Sequence, residues 1–387
     1  MFDHVEANDI THDKGFASRV YQVKLFASDP TTPFYTFIMK IPRCGNELKN
    51  IDELTNKMFE GQENKNLDES DSAETRMVDF HNAECDFYDY FSEVPGFPVP
   101  KVYYAQKSVL EKNQLGVIFM EDLSEISKTM GFVKSLMVDQ VKLLVEHLAA
   151  FHAFQICEEK PKWEGKFNKC AFIDEKNDIG KSAIEGLKVF KDGIFAKEIV
   201  KFYTVITDPD PPKYIVRGIC DNLGLPSVVC IGDMHTNNIL WQVNKNGEIL
   251  DKVQAIIDFQ VAFQGSPAFD LARILMVCTD GEIRRELEPY IFDYYMEKIT
   301  ERMSKVGKEP SFTVNEFKKA YEFGKIHQAL TVAILVPFFT AMGTLQDDDE
   351  AGQTKDEKSE ILIHRAKLGL EDAVKALEEL APQWISR

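Results

Sequence analysis

The chain has 387 residues, 44% of them hydrophobic, which is enough for a large core or for two lobes that share a cleft. Against 63 acidic residues there are only 45 Lys and Arg, and the net charge of -18 disfavours nucleic-acid binding, leaving a small neutral or cationic partner. The 7 cysteines lack Cys-x-x-Cys spacing, so neither a disulfide framework nor a zinc site is indicated. With no signal-like N-terminus and no run of about 18 apolar residues, we predict a cytoplasmic protein without a membrane span.

Two strands are predicted near the N-terminus, after a polar lead that ends at Gly15. Apolar and polar residues alternate from Val20 to Leu25, and a second strand follows from Phe34 to Ile41. The second strand carries Lys40 within the apolar sequence FIMKIP. Such a lysine is most often an exposed residue whose stem covers apolar surface.

A helix and a buried strand follow. Apolar residues at helical spacing predict a helix over Ser72 to Ser92, with Glu84 beside its apolar stripe. The polar segment before it, from Glu60 to Ser72, predicts an exposed loop. The strand from Leu115 to Met120 ends in the sequence EDL, residues 121–123, where we expect the chain to leave its first lobe.

The next part of the chain is predicted to be mainly helical. Strong periodicity from Leu136 to Cys157 indicates a helix that contains His152, which we expect to be a core residue. Residues 158–186 are charged and irregular, and helices are predicted over Leu187 to Thr207 and Lys213 to Leu223.

The most informative stretch runs from residue 228 to 258. An apolar run ends at Gly232, a polar loop carries Asp233 and Asn238, and two apolar segments flank an Asn-Gly pair typical of a tight hairpin turn, Asn246-Gly247. The second of these strands ends at Asp258. The hairpin can gather three oxygen ligands at one end, a set that suits Mg²⁺ and phosphates.

Helices complete the chain, predicted over residues 282–303, 314–342 and 355–380. Gly265 and Pro267 mark a turn before a further helix, whose first turn holds Asp270. We predict a structural role for Asp270, because a carboxylate at a helix N-terminus can accept hydrogen bonds from the neighbouring loop.

The pattern G-D-x-x-x-x-N, a hairpin, I-D and a downstream D-L-A-R resembles the catalytic half of the aminoglycoside-phosphotransferase and choline-kinase group. It most resembles the animal CHK-kinase-like branch, which includes ecdysteroid kinases and a nematode set of unknown substrate. The resemblance implies an α+β fold of the bilobal protein kinase-like type. Residues 1–122 would form a small antiparallel-sheet N-lobe that binds the nucleotide, and residues 123–387 a large, mainly helical C-lobe.

The resemblance also implies the roles of the central residues. Asp233 takes the place of the catalytic Asp, and Asn238 and Asp258 take the places of the Mg²⁺ ligands. Lys40 takes the place of the lysine that holds the phosphates of ATP, with Glu84 as its best-matching partner. Family proteins usually carry His where this chain has Ile231, a replacement that affects the loop's packing more than its chemistry.

Other positions are less specific. Glu74 and Asp86 are alternative partners for the lysine, and His235 is an alternative base to the catalytic aspartate. The loop at Gly15 and Ser18 would lie over the phosphates, unless it is an ordinary hairpin. Main-chain groups of Glu121 to Leu123 would bind adenine.

The expected function is that of an ATP- and Mg²⁺-dependent small-molecule kinase acting on a hydroxyl of a lipophilic metabolite or xenobiotic. The alternatives are choline or ethanolamine kinase activity and a catalytically silent binding module. A protein kinase is disfavoured, since only residues 259–269 separate Asp258 from Asp270, too few for an activation loop. The acceptor would bind between residues 124–186 and the helices after 280. Candidate aromatic walls there are Tyr290, Phe292, Tyr294, Tyr295 and Phe323, although rings at helical spacing are more often core residues.

Overall fold

The computed structural model describes residues 2–11, 17–29, 34–43, 73–174, 178–342 and 353–385. Its strands are β1 (Phe2–Asp9), β2 (Ser18–Ala27), β3 (Tyr35–Pro42), β4 (Val102–Gln106), β5 (Val117–Glu121), β6 (Ser127–Thr129), β7 (Val228–Cys230), β8 (Ile239–Val243), β9 (Ile249–Ile256) and β10 (Phe263–Gly265). Within these ranges β1 to β5 form one antiparallel sheet in the order β1-β2-β3-β5-β4. Smaller sheets join β6, β8 and β9, and β7 with β10.

One helix precedes β4, and the other helices follow β5 and make up most of the chain there. They are α1 (Ala73–Phe91), α2 (Val138–Cys157), α3 (Ala171–Asp174), α4 (Asp178–Val189), α5 (Ala196–Ile199), α6 (Tyr203–Thr207), α7 (Asp210–Lys213), α8 (Ile219–Leu223), α9 (Phe269–Val277), α10 (Gly281–Leu287), α11 (Ile291–Ser304), α12 (Val314–Met342) and α13 (Lys355–Leu380). The structure therefore confirms the α+β class, with an antiparallel sheet first and a helical part after it. The boundary at residue 122 stays a prediction.

The first strand was not predicted. The polar lead of the sequence forms β1, which pairs antiparallel with β2, and all of its side chains are exposed. An edge strand with both faces in water shows no alternation of apolar and polar residues. Its pairing to β2 thus left no signal in the sequence.

Aromatic packing joins the first helix to the helical part. Phe87 of α1 stacks on Phe259, with ring centroids 3.7 Å apart and planes inclined by 5°. Phe151 of α2 packs against Phe87 at 5.6 Å, and all three rings are fully buried. This packing fixes α1 against the segment that follows β9.

Two predicted helices are interrupted. The one expected over 187–207 breaks at Lys191 and Asp192, whose φ values of 43° and 59° are left-handed and cannot continue a helix. The one expected over 213–223 contains a wide turn at Tyr214–Gly218, where each backbone bond spans five residues. Helical spacing of apolar residues does not reveal such local changes of winding.

The β8–β9 hairpin forms as predicted, but its turn differs. Of the Asn-Gly pair only Gly247 has a positive φ, at 80°. The Asn244 side chain accepts hydrogen bonds from the backbone N–H groups of Asn246 and Glu248, and the Gly247 N–H donates to the Asn244 carbonyl. The Asn244 side chain thus stabilises a longer turn in place of the two-residue one.

Helix α12 lies against α9 and α13. Among the described residues it is the one helix whose length and hydropathy meet a membrane-span criterion, over Val314–Thr340 with a mean hydropathy of 1.3. Of its most apolar window, 56% is buried inside the protein. It therefore packs as a core helix.

His152 is a core residue, as predicted. Its ring is fully buried, and Nδ1 lies 2.9 Å from the hydroxyl of Tyr295. Burial lowers the pKa of His152 from 6.5 to about 3.

We predict a loss of stability in acid that depends on His152. The unfolded chain takes up a proton at this residue near pH 6.5, whereas the folded protein keeps it neutral to about pH 3. Its contribution is thus present above pH 6.5 and is lost as the pH falls towards 3. Urea unfolding should show that His152 accounts for about 2 kcal/mol of the loss between pH 7 and pH 5.

The His152→Leu variant should lack this part of the pH dependence. His4→Gln is the matched control, because His4 is exposed. An equal pH dependence in wild type and His152→Leu would contradict the prediction.

Candidate active site

The structure brings Lys40 together with two acids from distant parts of the chain. Its Nζ lies 2.6 Å from Oε2 of Glu84 on α1 and 2.8 Å from Oδ1 of Asp258, just after β9. Of the alternative partners, Asp86 pairs with Lys107 at 2.5 Å, and Glu74 is exposed. The lysine therefore pairs with Glu84 and also with Asp258.

Burial and charge act in opposite directions on this group. Burial alone would lower the pKa of Lys40, but Asp258 and Glu84 outweigh it and raise the pKa above its usual range. For Glu84, burial raises the pKa and Lys40 lowers it. A buried charge is tolerated only when it is paired, so Lys40 stays protonated between its two carboxylates.

Asp258 has an unusual backbone. Its φ of 67° lies in the left-handed region, which is uncommon for a residue other than glycine. The next residue, Phe259, stacks on Phe87, one turn of α1 beyond Glu84. The segment after β9 thus places the Asp258 carboxylate against Lys40 and the Phe259 ring against α1, the helix that carries Glu84.

Asp270 holds the loop between β7 and β8 by hydrogen bonds to its backbone. This carboxylate accepts hydrogen bonds from the backbone N–H groups of Ile231 (2.7 Å) and Gly232 (2.9 Å). Gly232 has a φ of 82°, and a Cβ there would lie 2.6 Å from the Val261 carbonyl oxygen. The Ile231 side chain is fully buried in the core. The two backbone hydrogen bonds to Asp270 therefore hold the start of the loop against α9.

Asp233 stands on this loop with a partner at each carboxylate oxygen. Oδ1 accepts a hydrogen bond from Nη2 of Arg273, and Oδ2 lies 3.5 Å from Nε2 of His235. Burial would raise the pKa of Asp233, but His235 and Arg273 hold it well below its usual range. The lowered pKa keeps this carboxylate ionised, and its side chain, at 25% exposure, is reachable from solvent.

Asn238 joins the loop to the strand that leads to Asp258. Its Nδ2 donates to the Asp233 carbonyl (2.9 Å), and its own carbonyl accepts from the Ile257 N–H (3.0 Å). The main-chain bond places Asn238 beside the residue that precedes Asp258. One amide oxygen and one carboxylate fit Mg²⁺, which takes few protein ligands and completes its shell with phosphates and water.

Within the described ranges no group of three or more His, Cys, Asp and Glu side chains is spaced to hold a metal ion. A closed zinc site would need such a set.

The residues predicted to contact the nucleotide lie before β2 and after β5. Gly15 lies outside the described residues, while Ser18 is buried and begins β2 opposite Pro42. The Glu121 N–H donates to the Lys101 carbonyl (2.9 Å), and the Leu123 carbonyl accepts from the Ser127 hydroxyl (2.8 Å). In the part of the chain that is described, the Leu123 N–H has no acceptor, which leaves it for a ligand.

Aromatic rings lie near two residues of the loop, His235 and Gly232. Phe132 lies 5.7 Å from the ring of His235 and 4.4 Å from Phe339 of α12. Phe172 lies near Gly232 and 5.5 Å from His327, also of α12. These three rings lie in the region between residues 124–186 and the late helices where the acceptor site is predicted.

Three of the candidate aromatic residues lie in the core, as rings at helical spacing more often do. Phe292, Tyr295 and Phe323 are buried in the helical core, where Tyr295 stacks on Phe317 at 4.0 Å. Helical spacing cannot separate a core ring from a pocket ring. Arg273 was also missed, although its D-L-A-R motif was recognised, because a motif gives no distance to Asp233.

We predict that Asp270→Asn destabilises the protein by about 1–3 kcal/mol, because an amide offers one acceptor oxygen where two backbone N–H groups need one each. Burial raises the pKa of Asp270 to about 6, so urea unfolding is best compared at pH 7.5, where the carboxylate is ionised. Asp221→Asn, at an exposed position, is the control. Equal stability of Asp270→Asn and wild type would refute this role.

Comparison with known proteins gives a match to the family DUF1679, described as "Uncharacterized oxidoreductase dhs-27", over residues 3–380. A Caenorhabditis elegans protein with the same description is 26% identical over 341 residues, covering 86% of this chain and 40% of that protein. The "Uncharacterized kinase-like protein D1044.1" of Caenorhabditis elegans is 29% identical over 245 residues, covering 62% of this chain and 60% of that protein. The chain thus spans less than two thirds of either relative.

Among solved structures, a putative aminoglycoside phosphotransferase from Ralstonia eutropha aligns with a TM-score of 0.48 and 12% identity, covering 97% of this chain and 94% of the other. The GDP complex of aminoglycoside 2'-phosphotransferase-IIIa aligns with a TM-score of 0.44, 13% identity and the same coverage. The family match runs over nearly the whole chain, and a kinase-like protein is among the relatives. The protein therefore belongs to the DUF1679 family, which confirms its identification with the CHK-kinase-like group.

Proposed function

We propose that the protein is an ATP- and Mg²⁺-dependent kinase that transfers the γ-phosphoryl group to a hydroxyl of a small, lipophilic metabolite or xenobiotic. The observation that carries the proposal is the position of Lys40, whose Nζ lies between Glu84 and Asp258. Asn238 links this cluster to the loop of Asp233. A lysine paired with a helix glutamate, beside two metal-ligand candidates and an ionised aspartate, is the set that phosphoryl transfer requires.

The word oxidoreductase in a relative's name does not weaken this proposal. This chain covers 40% of that relative, so the name describes a protein more than twice as long as the matched part. A dinucleotide site of the Rossmann type needs Gly-x-Gly-x-x-Gly between a strand and a helix of a parallel sheet. Here no two glycines in the sequence are separated by a single residue, and the main sheet is antiparallel.

The proposed roles follow from charge and position. Lys40 would hold the nonreacting phosphates of ATP, and Glu84 would keep it in place. Asp258 and Asn238 would hold Mg²⁺, which when bound neutralises the charge that develops on the phosphates. The Leu123 N–H, which has no acceptor among the described residues, supports the predicted adenine site at residues 121–123. The roles predicted for Gly15 and Ser18 over the phosphates remain part of the proposal.

Asp233 would accept or orient the proton of the attacking hydroxyl. It is ionised and one quarter exposed, as a base for an incoming acceptor needs to be. The rival base, His235, lies 3.5 Å from the same carboxylate and uses Nδ1 to accept from the Asn237 N–H. His235 is therefore better placed as a neighbour of Asp233 than as the base itself.

The rings beside the loop support a lipophilic acceptor. Phe132 packs against both His235 and Phe339, and Phe172 lies near Gly232. A quaternary ammonium group would also bind aromatic rings. Choline or ethanolamine kinase activity is accordingly the second candidate, and a silent binding module the third.

We predict that Asp233→Asn lowers kcat for phosphoryl transfer by about 10² to 10⁴-fold, the range for loss of a general base. The affinity for MgATP should stay near that of wild type, because this carboxylate is not assigned to the nucleotide. Calorimetric titration with MgATP and a transfer assay measure the two quantities. Asp221→Asn should retain both, and wild-type turnover by Asp233→Asn would refute the assignment.

A screen of metabolite extracts with labelled ATP tests the acceptor class. We expect label in lipophilic alcohols, and none with Asp233→Asn. Label in phosphocholine or phosphoethanolamine alone would overturn the preference for lipophilic acceptors. An unlabelled extract, despite confirmed MgATP binding, would favour the silent module.

A further inference from the structure

Arg273 is a buried arginine aimed at the loop of the proposed base. It lies on α9, three residues after Asp270, so the two side chains share one face of the helix. Asp270 accepts from the loop backbone, and Nη2 of Arg273 donates to Oδ1 of Asp233. One helix face therefore holds both the main chain of the loop and its carboxylate.

The arginine itself is fixed by its surroundings. Its side chain is 6% exposed, and Nη1 lies 3.3 Å from Oε1 of Gln328 on α12. A guanidinium held by two helices keeps a single orientation, and its planar donors impose that orientation on the carboxylate.

Stability is a poor explanation for a guanidinium here. A buried ion pair contributes little net stability, because desolvation offsets the attraction between the charges. Nε of Arg273 and Nε2 of Gln328 are buried and, among the described residues, have no hydrogen-bond partner. An apolar side chain of similar volume would avoid the desolvation of the charge and would leave no arginine N–H group without a partner.

The two oxygens of Asp233 differ as a result. Oδ1 faces the buried guanidinium, while Oδ2 faces His235, which is 18% exposed. We propose that Arg273 is a positioning residue: by holding Oδ1 it presents Oδ2 of Asp233 to the acceptor hydroxyl. This inference rests on the proposed kinase function.

The test uses hydrolysis of MgATP, with water in the acceptor's place, by wild type, Arg273→Met and Arg273→Lys. Methionine fills the buried space without a charge. We expect Arg273→Met to hydrolyse MgATP about 10 to 100-fold more slowly, as for a misoriented catalytic group, with its Kd for MgATP within about twofold of wild type. Arg273→Lys should be intermediate, since it keeps the charge but not the planar donors.

A double-mutant comparison separates positioning from general support of the fold. If Arg273 acts through Asp233, Arg273→Met should cause no further loss in an Asp233→Asn background. Arg285→Met is the matched control, because Arg285 is 40% exposed and pairs with Asp372 away from the loop. It should hydrolyse MgATP at the wild-type rate.

Three results would overturn the inference. They are wild-type hydrolysis by Arg273→Met, an equal loss in both backgrounds, and failure of both Arg273 variants to bind MgATP, which would make the arginine a folding residue. A wild-type protein that binds MgATP but neither hydrolyses nor transfers phosphate would instead overturn the proposed function, and this inference with it.

Discussion

The buried charge of Lys40 is the constraint on which the arrangement of the site depends. A lysine that is 8% exposed is stable only beside opposite charge, and Glu84 and Asp258 provide it from two other elements. The pairing therefore ties a sheet strand, the first helix and the segment after the hairpin to one another. The stack of Phe87 on Phe259 holds the same elements through apolar contact.

A second arrangement, centred on α9, controls the loop of Asp233. Asp270 accepts from its backbone, Arg273 holds its carboxylate, and Asn238 connects it to the hairpin strand. These contacts are already made in the structure, so the proposed transfer would need little reorganisation as charge develops. The two arrangements meet where Asn238 bonds to the residue before Asp258.

Sequence reasoning predicted the class of the fold and the residues now found together, because Lys40, Glu84 and Asp258 stand in a recognisable order. It missed β1, whose exposed side chains carry no alternating pattern. It also missed the contact of Arg273 with Asp233, and helical spacing alone left open whether the aromatic residues after position 280 are core or pocket rings. For Arg273 and for the aromatic rings, the missing information was the distance between elements far apart in the chain.

Equilibrium binding of nucleotides tests the central claim most directly, because a phosphoryl-transfer site and a nicotinamide site select different ligands. Thermal unfolding of the wild type should shift upwards with MgATP, by an amount that grows with ligand concentration, and less with ATP and EDTA. Asp258→Asn should lose the dependence on Mg²⁺, and NADPH should cause no shift. A shift with NADPH and none with MgATP would contradict the account.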